Sequence, residues 1–205
     1  MDKIELIEQA IEDALAGKSK LTPDILDWPG YTNPPAKRLF NNLGAISTSY
    51  LEIGIHKASL LISTLFGNDC KGVGVDNYSQ FEEDGLAKQM AYSGCEAFLK
   101  PGQVRIIEKD CWEITDKDLD LSSVDMYLFD GNHSYESQRD AIKYFVPKIK
   151  KGAIVLVDDA SWDDVRRGTY DGIKEAGLEI EYEKFLWNGK KEDDLWNGFF
   201  IFVFK

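Results

Sequence analysis

The sequence predicts a three-layer α/β fold with a seven-stranded, mostly parallel sheet that ends in an antiparallel β-hairpin. Three observations predict it. Short apolar runs alternate with longer helical stretches over most of the chain, which is typical of βαβ units and a parallel sheet. The last two apolar runs, 179–186 and 199–204, follow one another without a helix, so they are expected to pair antiparallel. Acidic residues follow several runs, where a sheet of this kind carries its ligands.

The 205 residues are predicted to form one domain, with N-terminal helices and a substrate or lid arm in 1–45 and the sheet-bearing core in 46–205. The chain has 24 Lys and Arg against 36 Asp and Glu, a formal net charge of −12. Such a chain repels phosphate, so neither nucleic acid nor an anionic membrane is expected as a partner. The acidic N-terminus and the lack of a long apolar run predict a soluble, cytoplasmic protein.

The N-terminal sixteen residues predict an amphipathic helix, because Ile4, Ile7, Ile11 and Leu15 recur at three- and four-residue spacing. This helix either covers the core or forms a dimer seam, so a homodimer is one expectation. The turn-forming stretch 18–35 predicts an irregular arm before a short helix. The arm and the polar loop 187–198 flank the ligand edge in this topology and are predicted to act as lids.

The central part of the chain predicts five parallel strands and the helices between them. The strands are expected at 50–53, 72–75, 104–107, 126–129 and 153–157. The helices are expected at 36–44, 58–66, 83–99, 135–149 and 165–176.

The loop after the first strand begins at Glu52 and has the form E-x-G-x-G-x-G, with His56 and Ala58 where the second and third glycines would stand. Gly54 allows a sharp turn and a close approach of the backbone to a ligand. The second strand ends in Asp76, whose carboxylate could accept both hydroxyls of a ribose. Capping of a following helix is the alternative role for this carboxylate, and the spacing does not decide between them.

Three further acids follow the fourth and fifth strands: Asp130, Asp158 and Asp159. At neighbouring strand ends their carboxylates would repel one another unless a cation or protons intervened. The pattern therefore predicts a site for a hard divalent ion. In the alternative interpretation no metal binds, Asp159 caps the next helix and Asp130 only turns the chain.

His133 lies three residues after Asp130 and is the candidate general base, because histidine titrates close to neutral pH. A purely structural role for this histidine is the alternative. The amide of Asn132 cannot act as a base, so a proton removed here must go to His133 or to another group.

Five segments occur in an order that resembles the class I S-adenosylmethionine-dependent methyltransferases, from about Tyr50 to the C-terminus. They are Tyr50–Gly54, Gly72–Asp76, Lys109–Asp110, Val124–Glu136 and Lys151–Asp159. The resemblance implies a Rossmann-like sheet whose closing hairpin supplies the sixth and seventh strands. The acids after the fourth and fifth strands are similar to those of the magnesium-dependent O-methyltransferases that act on sugar hydroxyls of macrolide or aminocoumarin compounds.

The resemblance implies S-adenosylmethionine as the cofactor and S-adenosylhomocysteine as its product. It implies catalytic roles for Asp130 and His133, and a Mg²⁺ site formed by Asp130, Asp158 and Asp159. The predicted function is metal-assisted O-methylation of a hydroxylated small molecule. Metal-independent methylation of a nitrogen or a carboxylate is one alternative, and a non-catalytic cofactor-binding module is another. The cofactor-binding residues that the resemblance implies are Glu52, Gly54, Ile55, His56, Ser59, Asp76, Asn77, Asp110, Cys111 and Asp130.

Overall fold

The structure is a computed structural model that describes residues 1–81, 84–187, 189 and 195–205. The predicted helices are present, and a four-residue helix, α2, stands in the arm. Pro23 occupies the first turn of α2, where a missing backbone N–H costs nothing. The helices are α1 (Lys3–Leu15), α2 (Pro23–Leu26), α3 (Pro34–Gly44), α4 (Ser59–Leu65), α5 (Leu86–Phe98), α6 (Tyr135–Phe145) and α7 (Asp163–Glu175).

Seven strands form a sheet in the order β3-β2-β1-β4-β5-β7-β6, which confirms the predicted fold class. Their bounds agree with the predicted ones to within one residue. The strands are β1 (Ser49–Ile53), β2 (Lys71–Val75), β3 (Val104–Ile107), β4 (Met126–Phe129), β5 (Ile154–Val157), β6 (Ile180–Leu186) and β7 (Phe199–Phe204).

By packing, the chain divides into two compact units, Met1–Glu113 and Ile114–Lys205. In the first unit β1, β2 and β3 are parallel neighbours, with Ile53 level with Val75 and Val75 level with Ile107. The loops that leave these three strands therefore begin at one edge. The division into an arm at 1–45 and a core at 46–205 stays a prediction.

In the second unit β4 and β5 are parallel, and Phe129 is level with Val157. Asp130 and Asp158 consequently leave the sheet side by side. Strand β7 runs antiparallel to both β5 and β6, as predicted for the closing hairpin. Strands β4, β5 and β7 are buried along their whole length, which explains their unbroken apolar sequences.

Two helix ends differ from the prediction by three residues or more. Helix α6 ends at Phe145 instead of residue 149, because Pro147 has no N–H and restricts the residue before it. Helix α5 begins at Leu86, after Gly85 in the left-handed conformation with φ +84°, and residue 83, its predicted start, lies outside the described residues. No helix in the described part of the chain has the length and apolar character needed to cross a bilayer.

Helix α7 packs against α6 through two glycines that let the backbones approach closely. A Cβ atom at Gly168 would lie 2.4 Å from the carbonyl oxygen of Tyr135, and one at Gly172 would lie 2.6 Å from that of Arg139. The phenol of Tyr135 also donates a 2.7 Å hydrogen bond to Asp171. The middle of α7 is thus fixed against the first half of α6.

We expect Gly168→Ala to lower the free energy of unfolding by about 1–3 kcal/mol, because overpacking against a backbone outweighs the higher helix propensity of alanine. Denaturant unfolding of the variant measures this difference. Lys174→Ala, at an exposed position of the same helix, is the control and should change stability by less than about 0.5 kcal/mol. An unchanged or higher stability of Gly168→Ala would show that the helices are not held this closely.

Candidate functional site

The loop after β1 takes the glycine-rich conformation even where glycine is missing. Gly54 has φ +86°, and His56 and Ala58 have φ +46° and +59°. A left-handed conformation costs a non-glycine residue roughly 1–2 kcal/mol, so other contacts must hold the loop. The backbone N–H of Gly54 donates to the carbonyl of Val75, and that of Ala58 donates to Ile55. At the two departures from the glycine pattern, the backbone thus has the positive φ that glycine adopts readily.

Asp76 is the carboxylate that fixes this loop. One of its oxygens accepts a 2.8 Å hydrogen bond from the backbone N–H of His56, and the other accepts a 2.7 Å bond from Tyr78. The next helix, α5, begins only at Leu86, so this carboxylate closes a turn and does not cap a helix. Each oxygen keeps a further lone pair that could accept a hydroxyl group.

The residues after β2 and β3 meet at the same edge. The side-chain amide of Asn77 donates to one carboxylate oxygen of Asp110, whose other oxygen accepts from the backbone N–H of Trp112. Burial, followed by the charge of Asp110, raises the pKa of the Cys111 thiol to about 12. Asn77 and Asp110 therefore meet in one polar corner beside Cys111, and the binding of a cofactor by these residues stays a prediction.

Glu52 lies beneath the loop and is 1% exposed. Its carboxylate accepts a 2.7 Å hydrogen bond from the phenol of Tyr50. Burial and the nearby charge of Glu52 raise the pKa of the Cys95 thiol to about 12. The side chain of Ile55 packs against Gly74 of β2, where a Cβ atom would lie 2.8 Å from it. Both predicted cofactor residues are thus buried, and their contact with a cofactor stays a prediction.

The arm is fastened to this loop. The indole of Trp28 donates to the carbonyl of Lys57, and a Cβ atom at Gly30 would lie 2.6 Å from the Cβ of Ser59. Ser59, a predicted cofactor residue, is consequently covered by the arm and 6% exposed. Tyr31 stacks on the imidazole of His56, with ring centroids 4.9 Å apart.

Sequence reasoning missed the side chain that anchors the arm. The buried ammonium group of Lys37 donates to the carbonyls of Ile25, Leu26 and Trp28. Burial lowers the pKa of Lys37 to about 8, against the opposing effect of the Asp27 charge. A lysine in a helix of ordinary composition gives no sign of this role.

In the second unit the acids after β4 and β5 converge on one histidine. The Nε2 atom of His133 lies 3.4 Å from a carboxylate oxygen of Asp130 and 3.3 Å from one of Asp159. All three side chains are largely buried. The structure thus brings together the candidate base and two of the predicted metal ligands.

Asp158 is the most deeply buried member of this cluster, at 3% exposure. Burial raises its pKa well above the usual range, and the negative charges of Asp130 and Asp159 raise it further. One of its oxygens accepts from the backbone N–H of Asp159. This carboxyl group therefore holds its proton more tightly than an exposed aspartate does.

Asp159 is held in a strained conformation by a residue that sequence reasoning missed. Its backbone has φ +50°, and the side-chain amide of Asn197 donates to its carboxylate. Asn197 belongs to the polar loop 187–198, in which the backbone N–H of Gly198 closes a turn onto the carbonyl of Leu195. Residues 188 and 190–194 of the predicted lid loop lie outside the described residues.

The side chain of Asn132 closes a local turn, because its oxygen accepts a hydrogen bond from the backbone N–H of Ser134.

Within the part of the chain that the structure describes, no group of three or more His, Cys, Asp or Glu side chains is arranged to hold a metal ion. Three carboxylates are the right donors for Mg²⁺. Here, however, the imidazole of His133 lies against two of them, and a coordination shell is not formed by the side chains as they stand. The magnesium site therefore stays a prediction.

A family model described as a methyltransferase domain matches residues 51–160. No curated protein matches the sequence. Among solved structures, the O-methyltransferase TomG from Streptomyces achromogenes, described as in complex with SAM, has 17% identity and a TM-score of 0.64, covering 100% of this chain and 91% of that chain. An O-methyltransferase from Bacillus cereus in complex with SAH has 14% identity and a TM-score of 0.62, covering 100% and 93%. These two likenesses show the fold.

We expect Asp158→Asn to raise the melting temperature at pH 7, because it removes a buried ionisable group. Folding raises the pKa of Asp158, so the stability of the wild type falls as pH rises from the unfolded-state pKa of about 4 to the folded-state value. The gain of the variant should therefore grow as pH rises over this interval. Thermal unfolding between pH 4 and 8 measures it.

Asp116→Asn is the matched control, since Asp116 is an exposed acid of the same unit. It should follow the wild type closely over the whole pH range. The assignment of a raised pKa would be contradicted if Asp158→Asn had a lower melting temperature than the wild type at pH 7 and the same dependence of melting temperature on pH.

Proposed function

This chain belongs to the methyltransferase-domain family, and we propose that it transfers a methyl group from S-adenosylmethionine to a hydroxyl oxygen of a small molecule. The observation that carries the proposal is the histidine held between Asp130 and Asp159, with Nε2 within 3.4 Å of both carboxylates. A base of this kind is needed for a hydroxyl acceptor, whose proton must be removed. TomG and the Bacillus cereus protein, both described as O-methyltransferases, have the same fold.

The loop of the first unit supports S-adenosylmethionine as the donor. The left-handed backbone at Gly54, His56 and Ala58 allows a ligand to approach the main chain closely. The carboxylate of Asp76, held by the backbone N–H groups of His56 and Tyr78, would accept the two ribose hydroxyls. Asn77 and Asp110 would contact the adenine. The cofactor carries a positive sulfonium centre, which a chain of net charge −12 attracts.

His133 removes the acceptor proton in this mechanism. Its Nε2 atom is buried and makes no hydrogen bond to any residue that the structure describes, although both carboxylates lie within 3.4 Å of it. The two carboxylates then stabilise the imidazolium that forms, as an acid does for a catalytic histidine in other enzymes. The acceptor oxygen attacks the methyl carbon in line, its O–C bond forms as the S–C bond breaks, and S-adenosylhomocysteine leaves. Holding the oxygen about 3 Å from that carbon supplies much of the rate.

Assistance by a divalent ion is a second route to the same reaction, supported by the three carboxylates of Asp130, Asp158 and Asp159. A bound cation would lower the pKa of the acceptor hydroxyl. Since the side chains do not form a coordination shell, no step of the mechanism above passes through a metal.

We expect Asp76→Asn to weaken S-adenosylmethionine binding at least tenfold, because a hydrogen bond to a charged group contributes about 1.5–3 kcal/mol. Titration calorimetry with S-adenosylmethionine and S-adenosylhomocysteine measures this. Asp69→Asn, at a fully exposed aspartate, is the control and should bind like the wild type. If the wild type binds neither compound at millimolar concentration, the proposed function is wrong.

We expect His133→Gln to lower kcat by about 10²–10⁴-fold, the usual contribution of a general base, while cofactor affinity stays unchanged. Release of S-adenosylhomocysteine with a panel of hydroxylated sugars, phenols and amines measures turnover. Glu136→Gln, an exposed acid on the same segment, should retain wild-type activity.

The same assay is run after exhaustive chelation and after adding Mg²⁺. Wild-type activity that survives chelation supports the histidine route alone, whereas loss of activity with recovery in Mg²⁺ supports the metal route. If only the amines are methylated, the proposed O-methylation is wrong and N-methylation takes its place.

A further inference from the structure

A cavity in the second unit lies at the opposite end of strand β5 from the histidine and acid cluster. Its volume is about 120 Å³, and the turn 150–152, which leads into β5, forms part of its lining. Asp158 follows the last residue of β5, so the strand separates the two places. Four residues of a strand span roughly 13 Å. A ligand in this cavity would therefore not contact Asp158.

The buried part of the lining is apolar. Val146, Ile149, Val155 and Phe204 all line the cavity and are buried. An open space of this size leaves such side chains without packing partners on one side, so an apolar group that fills it gains contacts. An engineered apolar cavity of about 150 Å³ binds benzene. The cavity is therefore expected to take an apolar group of similar size, such as a phenyl ring or an alkyl chain of about five carbons.

The charged part of the lining is basic, although the chain as a whole has 36 acidic residues against 24 Lys and Arg. Lys150, Lys151 and Lys205 line the cavity, and no acidic residue among those the structure describes does so. Lys150 lies 3.7 Å from a carboxylate oxygen of Asp125, and Lys205 pairs with Glu179. Lys151 is exposed and forms no ion pair with a described residue. Three lysines against two acids leave one uncompensated positive charge at the cavity.

The turn that carries two of these lysines has a fixed backbone and an open side. The N–H of Lys150 donates to the carbonyl of Val124, and the N–H of Ala153 donates to the carbonyl of Lys150. Gly152 has φ +70°, and a Cβ atom there would meet nothing within 4 Å. Backbone positions held in this way lose little entropy when a ligand binds, which favours affinity.

We propose that this cavity is a binding site for a small organic monocarboxylate, whose apolar tail fills the space and whose carboxylate lies among Lys150, Lys151 and Lys205. One uncompensated positive charge suits one carboxylate. The two lysines that pair with acids have side chains that are 58% and 55% exposed, so their ammonium groups can reach a ligand. Salt screens charges in such positions, and the affinity is expected to fall as ionic strength rises. The site does not depend on the proposed function.

Titration calorimetry of the full chain with hexanoate, acetate and 1-hexanol tests the proposal. Hexanoate should bind with a Kd of about 1 mM or lower, a value within reach of a ligand of this size. Acetate lacks the tail and 1-hexanol lacks the charge, so each should bind about tenfold more weakly or not at all.

Lys151→Gln combined with Lys205→Gln should weaken hexanoate binding about tenfold, because two partly exposed charge contacts are lost. Lys150 is kept in this variant, since it faces a buried aspartate. Lys117→Gln combined with Lys174→Gln is the matched control. It removes the same charge from exposed positions of the same unit and should bind hexanoate like the wild type.

A cavity-filling variant locates the bound tail. Leu178→Trp enlarges a half-buried side chain of the lining and should abolish hexanoate binding. Thermal unfolding shows whether this variant is folded, and if it is not, the lysine variants decide.

Saturation of the protein with S-adenosylhomocysteine should leave the Kd for hexanoate unchanged. The proposal is overturned if hexanoate shows no saturable binding up to about 10 mM, if both lysine pairs weaken its binding equally, or if 1-hexanol binds as tightly. Competition between hexanoate and S-adenosylhomocysteine would place the carboxylate in the cofactor site and would also overturn it.

Discussion

The close approach of helices α6 and α7 is the constraint on which the histidine and acid cluster depends. Gly168 and Gly172 lie so near the carbonyls of Tyr135 and Arg139 that a Cβ atom has no room at either position. Helix α6 begins just after His133, and helix α7 begins just after Trp162. A shift of either helix would therefore move these two side chains apart, and with them the carboxylates that face the imidazole.

Backbone strain appears in both units and is held by hydrogen bonds in each. In the first unit Asp76 binds the N–H of His56, whose φ is positive. In the second unit the amide of Asn197 binds the carboxylate of Asp159, whose φ is also positive. Strained residues that persist because their surroundings over-determine them are typical of binding and catalytic loops. In each unit the carboxylate of an aspartate, Asp76 or Asp159, accepts the hydrogen bond that restrains the strained residue.

The local patterns of the sequence were sufficient for the fold and for the residues that follow the strands. Alternating apolar runs and helices predicted β1 to β7, and the family model confirms the resemblance to methyltransferases. Contacts between distant segments were not predictable in this way. Neither the anchoring of the arm by Lys37 nor the bond from Asn197 to Asp159 has a periodic signal. The covering of Ser59 by Gly30 likewise depends on how the arm folds back.

The burial of Asp158 also changes how the charge of the chain should be counted. The formal value of −12 assigns a full negative charge to every carboxyl group. A carboxyl group whose pKa rises well above its usual range on folding takes up a proton from the buffer over the pH interval between its two values. The heat of folding in mildly acidic solution then includes the ionisation heat of the buffer. Over this pH interval the folded protein therefore carries less negative charge than a count of its acidic residues gives.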